Sequence, residues 1–414
     1  MQVELRQLKT AMNIVEAARV KRPTIPILST VKARLNGGLR LETNDLDMTC
    51  VATLPGEGGK NEEFLICDPK QVMSAIGAAG GKQVSLQIKG PPKIQGRGID
   101  HSLLITAGEL HICQNNRMAP TDFPGNGAQV SDDQFQTDLS GAVIDQISRV
   151  FPAISKDECR YYLNGVNMKK MDDDWTYRFA ATDGHRLMVI DVPLPGSKGE
   201  LPSDVILPRQ FIAAVNRHLS KSKDAIKMKL GGGSQPNREA TTAPVSRYAS
   251  RCSITGKVAD LDVEFHGKLI DDTYPDYSRV IPTDVPRKVT ASIRSLRQAV
   301  LSVGSACTTR FTPALSLNFT EGKVTLSKAM GDLDGKATFA IECDHNCDGM
   351  IVGFNGKYLL EALNSFKGDE VALEMEEPSE DTNGPDQFLQ VSGPTLIRDP
   401  SDTEFFVVLM PMRV

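Results

Sequence analysis

The sequence lacks three features that mark special classes of protein. No run approaches the roughly 18 consecutive apolar residues that a membrane-spanning helix needs, which excludes a transmembrane helix. The first nine residues, MQVELRQLK, contain no apolar segment typical of a secretory signal. None of the eight cysteines belongs to a CxxC pair. We therefore expect reduced thiols in a cytoplasmic protein.

A strong excess of charge of one sign is also missing. The 47 basic and 52 acidic residues leave a net charge of −5, and 40% of the residues are hydrophobic. This mixture is typical of a globular protein with well-formed cores. Taken as an average, the charge gives no indication of a nucleic acid as partner. The length of 414 residues predicts two to four domains.

An internal repeat makes the domain number more specific. Residues 69–76, PKQVMSAI, match residues 208–215, PRQFIAAV, and residues 356–363, GKYLLEAL, are a weaker third copy. Apolar residues at i, i+1 and i+4 of each copy predict one buried helix face. A short apolar run precedes each copy and predicts a strand that leads into the helix. These runs are residues 64–66, 205–207 and 350–352.

A second helical pattern begins at Leu8, Val143 and Leu296, with apolar residues at i, i+3, i+4 and i+7. Its middle copy has one polar position, Gln146. Two helix types in the same order are difficult to explain as coincidental similarity of amphipathic helices. Alternating runs between them predict antiparallel strands, at residues 39–43, 103–106, 178–181 and 315–319. The sequence thus predicts an α+β fold of three repeated domains, residues 1–128, 129–284 and 285–414, each with two helices and antiparallel sheets.

Two motifs that suggest ligand sites have simpler explanations. Residues 77–82, GAAGGK, are one residue short of the phosphate-binding loop and lack the hydroxyl residue after lysine. They follow a predicted helix, where glycine commonly forms the C-cap. Residues 343–347, CDHNC, offer two thiols and an imidazole, but zinc normally takes four ligands and no second pair is evident. We expect a structural turn there, and no metal or cofactor.

Residues 181–187, ATDGHRL, contain the greatest concentration of chemically active side chains in the sequence. Asp183 and His185 are the acid/base pair that a hydrolase or transferase would use, although no GxSxG or HExxH motif completes a catalytic set. A histidine and an arginine beside a glycine turn equally shape a peptide-binding pocket. The chain end, VVLMPMRV, is unusually apolar. Its methionines and Pro411 indicate an adaptable docking surface beyond a buried strand at residues 405–409.

Several motifs together resemble one protein family. They are RYYLNG at 160–165, ATDGHRL at 181–187, YPDYSRV at 274–280 and MPMR at 410–413, preceded by RPTIPIL at 22–28 and TNDLD at 43–47. In this order along the whole chain, they resemble the bacterial replicative sliding clamps, the β subunits of DNA polymerase III. No single motif is specific, whereas the combination is.

The resemblance implies both a fold and a function. Clamps of this family have three similar domains per chain, and two chains join head to tail as a homodimer, a ring of six domains. The ring encircles double-stranded DNA and tethers the DNA polymerase III catalytic subunit as a processivity factor. The clamp loader, other polymerases and repair proteins bind it through short linear peptides. The resemblance implies no catalysis and no cofactor, and a location in the bacterial cytoplasm at the nucleoid.

A sliding ring must hold DNA without reading its sequence, and mobile cations near the phosphates meet this need. The repeated helices carry such cations away from their apolar faces, although each is equally an ordinary surface charge. The candidates are Lys9, Lys70, Arg149, Arg209, Arg217, Arg297 and Lys357. By the resemblance, Arg22 and the segment Arg160, Tyr161 and Tyr162 match loops that contact DNA in the family.

The resemblance also implies a pocket for partner peptides between the second and third domains. Leucine or phenylalanine anchors of the peptide would contribute about 1.5–3 kcal/mol each when fully buried. The residues that match this pocket are Leu163, Thr182, Gly184, His185, Arg186, Leu187, Pro275, Arg279, Val280, Asn355, Tyr358, Val408, Leu409, Met410, Pro411, Met412, Arg413 and Val414.

Departures from the family leave open a divergent, plasmid- or phage-borne, or secondary clamp. Extra length is expected in loops at 231–245 and 376–387, and an acidic solvent-exposed loop at 369–386. Small residues at 304–306, GSA, stand where ring-closing residues are usually bulkier, and Val414 stands where leucine is common. A third hypothesis is a repeat scaffold that binds proteins but not DNA.

Overall fold

The computed structural model describes residues 1–56, 61–89, 101–116, 118–125, 130, 132–173, 175–201, 204–232, 249–306, 314–329, 335–378 and 389–414. Within these residues the protein is α+β, as predicted, with few helices and sheets that are almost entirely antiparallel. None of the helices in this part of the chain is long and apolar enough to cross a membrane. The predicted loops at 231–245 and 376–387 lie mostly outside the described residues.

The α-helices confirm both repeated patterns and their order. Helices α1, α3 and α5 belong to the first type, and α2, α4 and α6 to the second. Each of the second type follows a strand that the sequence predicted. The helices are α1 (Leu5–Val15), α2 (Pro69–Ala78), α3 (Gly141–Ser148), α4 (Arg209–Leu219), α5 (Ile293–Ala306) and α6 (Gly356–Ser365). The first glycine after α2 with a positive φ, Gly80, lies where the C-cap was predicted.

The chain forms two compact units. Residues 1–145 and 194–271 form the first unit, and residues 146–193 and 272–414 form the second. Both units therefore draw on the middle third of the chain. The boundaries 1–128, 129–284 and 285–414 describe the sequence repeat and stay a prediction.

A nine-stranded antiparallel sheet dominates the first unit. Strands from the first and second thirds of the chain meet where β4 pairs with β17, for example with Val51 opposite Glu264. Helix α1 packs on β3 and β4, and α4 packs on β16 and β17. The strands in spatial order are β13 (Lys198–Gly199), β9 (Asp132–Leu139), β15 (Ile226–Gly232), β16 (Arg251–Val258), β17 (Leu261–Lys268), β4 (Met48–Pro55), β3 (Gly38–Asn44), β2 (Val31–Leu35) and β5 (Glu62–Ile66).

The other strands of the first unit form a smaller sheet and a bridge. The four-stranded sheet has β8 at one edge, and Ile206 of strand β14 bridges to Ile270. The sheet order is β1 (Gln2–Glu4), β6 (Gln83–Lys89), β7 (His101–Ala107) and β8 (Leu110–Asn116), and β14 spans Val205–Pro208.

The second unit contains eight consecutive strands of one sheet. Strand β12 from the middle third pairs with β27 at the end of the chain, with Arg186 opposite Leu409. The order is β10 (Gly165–Lys170), β11 (Thr176–Thr182), β12 (Arg186–Pro193), β27 (Asp402–Leu409), β26 (Thr395–Asp399), β24 (Glu370–Met375), β18 (Arg287–Ser292) and β22 (Asp344–His345).

A five-stranded sheet completes the second unit. Helix α5 packs on β20 and β21 and against α6. The order is β21 (Lys336–Glu342), β20 (Lys323–Ala329), β19 (Ala314–Thr320), β23 (Met350–Asn355) and β25 (Leu389–Gln390), the last two being parallel.

The prediction of an acidic loop at 369–386 is wrong for its first part. Residues Glu370–Met375 form β24, between β18 and β26. Val371, Leu373 and Met375 are buried, so the segment has an apolar core pattern that the count of acidic residues concealed. One of its acids is also paired, because Glu374 lies 3.8 Å from Arg398.

An ionic network crosses the seam of the nine-stranded sheet. The guanidinium of Arg40 on β3 lies 2.5 Å from the Glu264 carboxylate on β17. Nε2 of His266 lies 3.0 Å from the same carboxylate, and its Nδ1 lies 2.8 Å from the hydroxyl of Ser253. His266, Arg40 and partial burial set the charge state of Glu264, and the contact with His266 lowers the pKa of Glu264 most.

Replacement of Glu264 by glutamine tests this network. The pKa of Glu264 is about 2, below the ordinary 4.5, so its carboxylate stabilises the fold above about pH 4.5. This contribution disappears as the pH falls toward 2. At pH 7 we expect E264Q to lower the free energy of unfolding by about 2 kcal/mol, allowing for partial exposure. Thermal unfolding from pH 7 to pH 2.5 would measure it.

The exposed Glu200 provides the control, because E200Q removes a carboxylate that lies in solvent. We expect it to unfold like the wild type at every pH. If E264Q and the wild type differed in free energy of unfolding by the same amount at pH 7 and pH 2.5, the stabilising role of the ionised Glu264 carboxylate would be contradicted.

Candidate functional site

The floor of the candidate site is a buried cluster between β11, β12, β26 and β27. Ala180, Leu187, Val189, Leu396 and Val408 form this cluster, and Tyr277, Ile281 and Phe406 pack against it. Leu163 and Leu409 are also buried. Leu163, Leu187, Val408 and Leu409, which were predicted as pocket residues, therefore support the site from beneath rather than line an open wall.

The turn at residues 182–186 is fixed by its own side chains. The Asp183 carboxylate accepts hydrogen bonds from the amides of His185, at 3.0 Å, and Arg186, at 3.2 Å. The Thr182 hydroxyl donates to the Arg186 carbonyl at 2.7 Å. Gly184 has φ +87°, and an added Cβ would lie 2.9 Å from an Arg160 guanidinium nitrogen. The positive φ favours glycine at this position, and a Cβ would also displace the flexible end of the Arg160 side chain.

These contacts argue against the hydrolase hypothesis. The other Asp183 oxygen lies 3.1 Å from Nε of Arg186, so the carboxylate is occupied by backbone amides and a guanidinium. The imidazole of His185 instead stacks on the ring of Tyr358, with centroids 6.1 Å apart. An acid/base pair needs the carboxylate to contact the imidazole, and in this turn Asp183 contacts the backbone and Arg186.

The Arg186 guanidinium is the most enclosed charge of the site, because only 5% of the side chain is exposed. Nη1 lies 2.6 Å from the Glu361 carboxylate, and Nη2 donates to the carbonyl of Pro152. The guanidinium carbon lies 4.3 Å from the centre of the Tyr358 ring. Arg186 thereby ties β12 to the first turn of α6.

Helix α6 brings the Asn355 and Tyr358 positions to the same place. The Asn355 side chain accepts from the amides of Lys357, at 3.0 Å, and Tyr358, at 3.4 Å, which is an N-cap. Because the cap fixes the first turn, the Tyr358 ring is held between Arg186 and His185.

The C-terminal tail closes over this cluster. The amide of Met410 donates to the His185 carbonyl at 3.0 Å, and the amide of Met412 donates to the Gly353 carbonyl at 2.7 Å. An added Cβ on Gly353 would clash with the Met412 carbonyl and the Val414 side chain. Met410 and Arg413 are exposed, and Pro411, Met412 and Val414 are half-buried, and the docking surface stays a prediction.

The segment that contains Pro275, Arg279 and Val280 adds an exposed rim. Its neighbour Tyr274 accepts a hydrogen bond from the Thr182 amide at 2.9 Å, and burial raises the pKa of that phenol. Arg279 pairs with Asp276 at 3.2 Å but is largely in solvent, and Val280 is 44% exposed. The Thr182 turn, the Tyr274 segment, α6 and the tail therefore connect the predicted pocket residues within one compact unit.

Most of the predicted DNA-contacting residues are accessible. Lys9, Arg22, Lys70, Arg217, Tyr161 and Lys357 are exposed, and Arg160, Tyr162, Arg209 and Arg297 are half-buried. The Arg297 guanidinium is not free, because it donates to the Leu363 and Phe366 carbonyls at the end of α6. Arg160 pairs with Asp157 at 2.9 Å.

Arg149 is not the accessible cation that the sequence predicted. Only 6% of its side chain is exposed. It lies 2.6 Å from the Asp402 carboxylate, donates to the Ser365 carbonyl at 2.8 Å and covers the Phe405 ring at 3.9 Å. A phosphate could not reach it without breaking a buried ion pair, so we withdraw Arg149 from the DNA-contacting set.

The sequence reasoning missed two exposed cations on the same helices, Arg6 on α1 and Arg294 on α5. Arg6 lies three residues before Lys9, and Arg294 lies three residues before Arg297, both of which were predicted. The i, i+3 spacing places each pair on one helix face and was the available signal.

The cysteine motif at 343–347 belongs to a short strand and the turn after it. In the described residues, no group of three or more His, Cys, Asp or Glu side chains could hold a metal ion. Burial raises the pKa of both Cys343 and Cys347 to about 11, so the thiols are protonated at neutral pH. Residues 344–345 form the short strand β22, and a turn follows.

Comparison with known proteins gives consistent results along the chain. Residues 139–276 match the family model of the DNA polymerase III beta subunit central domain, and residues 278–413 match that of its C-terminal domain. The beta sliding clamp of Caulobacter vibrioides is 27% identical over 100% of this chain and 99% of that protein. The clamp of Escherichia coli K12 is 25% identical over 95% of this chain and 94% of that protein.

Solved structures agree with these matches. A Caulobacter crescentus beta sliding clamp has a TM-score of 0.81 and 25% identity, over 100% of this chain and 98% of that one. A Bartonella birtlesii clamp bound to griselimycin has a TM-score of 0.80 and 24% identity, over 100% and 99% of the two chains. The two family models together cover about two thirds of the sequence, in the order central then C-terminal. The chain therefore belongs to the DNA polymerase III beta subunit family.

Proposed function

We propose that this protein is a sliding clamp, a non-catalytic processivity factor that encircles duplex DNA and tethers a polymerase to its template. Whole-length similarity to proteins named beta sliding clamp supports this function. The single structural observation that carries it is the segregation of charge onto the helices. The predicted head-to-tail homodimer, DNA-facing helices and peptide pocket are parts of the same proposal.

The six described α-helices contain eight lysines or arginines and only two acidic residues, Asp145 and Glu361. The whole chain has an excess of acidic residues, so this distribution differs from the average. A helix surface of cations without acids attracts phosphates of any sequence. Among the described helices, α3 alone has no exposed cation, because its sequence contains no lysine or arginine and Arg149 just beyond it is buried.

Two sheet edges support closure of a head-to-tail ring. Strand β8 ends the four-stranded sheet of the first unit, and β21 ends the five-stranded sheet of the second. Half-buried Ile112 on β8 and Phe339 on β21 give each edge an apolar component. Edges with free backbone groups pair readily with another chain. We propose that β8 of one copy pairs with β21 of the other, near Leu301 of α5, which is 55% exposed.

The peptide site completes the proposal. Exposed Met410 and Val280 offer apolar contacts beside the Tyr358 ring, and methionine adapts readily to different ligands. The Bartonella birtlesii and Pseudomonas aeruginosa clamps have been solved with griselimycin bound. We propose that griselimycin and short peptides anchored by leucine or phenylalanine bind this chain at residues 410–414 and the adjoining turn.

Two alternatives predict different behaviour. A scaffold that binds proteins but not DNA would be insensitive to reversal of the helix cations. A divergent or secondary clamp would bind DNA but differ in dimer strength or in peptide preference, and the small residues of α5 at 304–306 are consistent with a weaker dimer.

Reversal of helix cations tests DNA binding. We expect severalfold less of the triple variant K9E/R217E/K357E than of the wild type to stay on nicked circular DNA, because each change replaces attraction to phosphate by repulsion. Gel filtration of the DNA after loading would measure the bound clamp at 50 and 200 mM salt. The variant K257E/K323E, which reverses exposed cations on strands, is the control. Equal retention by the triple variant and the control would contradict DNA contact through the helices.

A charge on the proposed ring-closing surface tests the dimer. We expect L301D to shift the protein toward monomer at micromolar concentration, because burying an unpaired carboxylate is costly. Light scattering after size-exclusion chromatography would measure the mass. L46D changes an equally exposed leucine on a turn of the first unit and serves as the control. A dimer of unchanged stability in L301D would refute this surface.

Removal of the tail tests the peptide site. We expect deletion of residues 410–414 to abolish detectable binding of griselimycin, because the exposed Met410 and the strand bridge of Met412 are lost. Calorimetry would measure the affinity, and light scattering would verify that the dimer remains. W175A, at the exposed β10–β11 hairpin, is the control and should bind normally. Undiminished binding by the truncated chain would place the ligand elsewhere.

A further inference from the structure

Glu361 has contacts on both sides that no pocket motif predicts. It lies on α6 one turn after Tyr358, and its side chain is 33% exposed. One carboxylate oxygen is 2.6 Å from Nη1 of Arg186, and the other is 4.0 Å from Nζ of Lys357. The pair with Arg186 is enclosed and hydrogen-bonded, whereas Lys357 is 70% exposed. The significant contact of Glu361 is therefore the one with Arg186.

The position of the Arg186 guanidinium depends on this carboxylate. Asp183 holds Nε and Pro152 holds Nη2, and neither holds Nη1. Glu361 supplies that third contact, on the side of the guanidinium that faces α6. With Glu361 in place, the guanidinium lies 4.3 Å from the centre of the Tyr358 ring. His185 stacks on Tyr358, so the order of contacts is Glu361, Arg186, Tyr358, His185.

The stability of α6 does not depend on Glu361. The Asn355 side chain caps the first turn of the helix. Arg149 and Arg297 donate to carbonyls of its last turn and of the residue that follows. Asp183 also remains as a carboxylate partner for Arg186 if Glu361 is removed, so the guanidinium keeps a counterion. Loss of Glu361 should therefore change the site without unfolding the unit.

We propose that Glu361 is a positioning residue for peptide binding, acting through Arg186 on the orientation of Tyr358 and His185. The inference rests on the proposed peptide site and adds to it a residue that makes no direct contact with the ligand. Restraint of an aromatic wall before binding reduces the entropy that the ligand must otherwise overcome. Without Glu361, the guanidinium of Arg186 would move, and the Tyr358 ring would lose its cation partner on one face.

The test compares E361A, E361Q and N364A in the full-length chain. The probes are griselimycin and a fluorescein-labelled pentapeptide that contains leucine and phenylalanine, and the readout is the Kd. We expect about tenfold weaker binding by E361A, the usual scale for loss of one charge-assisted hydrogen bond. E361Q keeps an oxygen acceptor for Nη1 and should recover most of the affinity. N364A changes an exposed residue of the same helix and should bind like the wild type.

A double-mutant cycle separates positioning from a general structural effect. If Glu361 acts through Tyr358, E361A should weaken binding much less in a Y358A background than in the wild type. In an R413A background, which changes an exposed tail residue outside the chain of contacts, E361A should retain its full effect. Thermal unfolding, dimer mass and DNA retention of E361A should match those of N364A.

The outcomes distinguish the inference from the function on which it rests. Binding by the wild type with equal Kd for E361A would overturn the role of Glu361 and leave the peptide site intact. Additive effects of E361A and Y358A would also overturn it. Failure of the wild type to bind either probe would contradict the peptide site itself. If E361A unfolds early, the same cycle is measured with E361Q in place of E361A. Additive effects of E361Q and Y358A on the Kd would then overturn the inference.

Discussion

The burial of one guanidinium, that of Arg186, is the constraint on which the candidate site depends. A charge whose side chain is only 5% exposed must be compensated within the fold, and Arg186 has two carboxylate partners. Asp183 supplies compensation from the same turn, and Glu361 supplies it from a helix 175 residues later. The need to neutralise Arg186 therefore fixes the distance between β12 and α6, and with it the places of His185 and Tyr358.

Arg149 is a second buried and paired guanidinium, at the other end of α6. Its pair with Asp402 and its bond to the Ser365 carbonyl join the segment after α3 to β27 and to the end of the helix. Two arginines from residues 146–193 thus hold one helix of the C-terminal third at both ends. A site built on such a support is preorganised, so the proposed peptide ligand would not have to order the protein first.

The sequence predicted the helices because their apolar residues recur at local spacing, as Leu8, Ala11, Met12 and Val15 do in α1. The family resemblance predicted that Thr182, His185 and the tail belong to one site, and the structure brings His185 and Met410 into contact, while their role in binding stays a prediction. The sequence could not predict the burial of Arg149, because the partner that determines it, Asp402, lies 253 residues away. It also misjudged Glu370–Met375, where acidic residues concealed the buried Val371, Leu373 and Met375 of a strand. A single sequence shows the local spacing of apolar residues, but it does not show which distant charges form pairs.

Pairing of acids on the sheets explains how an acidic chain can bind DNA. Glu63 lies beside Lys32, Glu264 beside Arg40 and Asp191 beside Arg178, all on strands. Each such acid pairs with a cation on another strand of its own sheet and contributes to the sheet rather than to the field around the helices. The exposed helix cations Lys9, Arg217 and Arg294 have no acidic residue on their own helix. The net charge of −5 is an average over surfaces of different charge, and the proposed function assigns the attraction to phosphate to the helices.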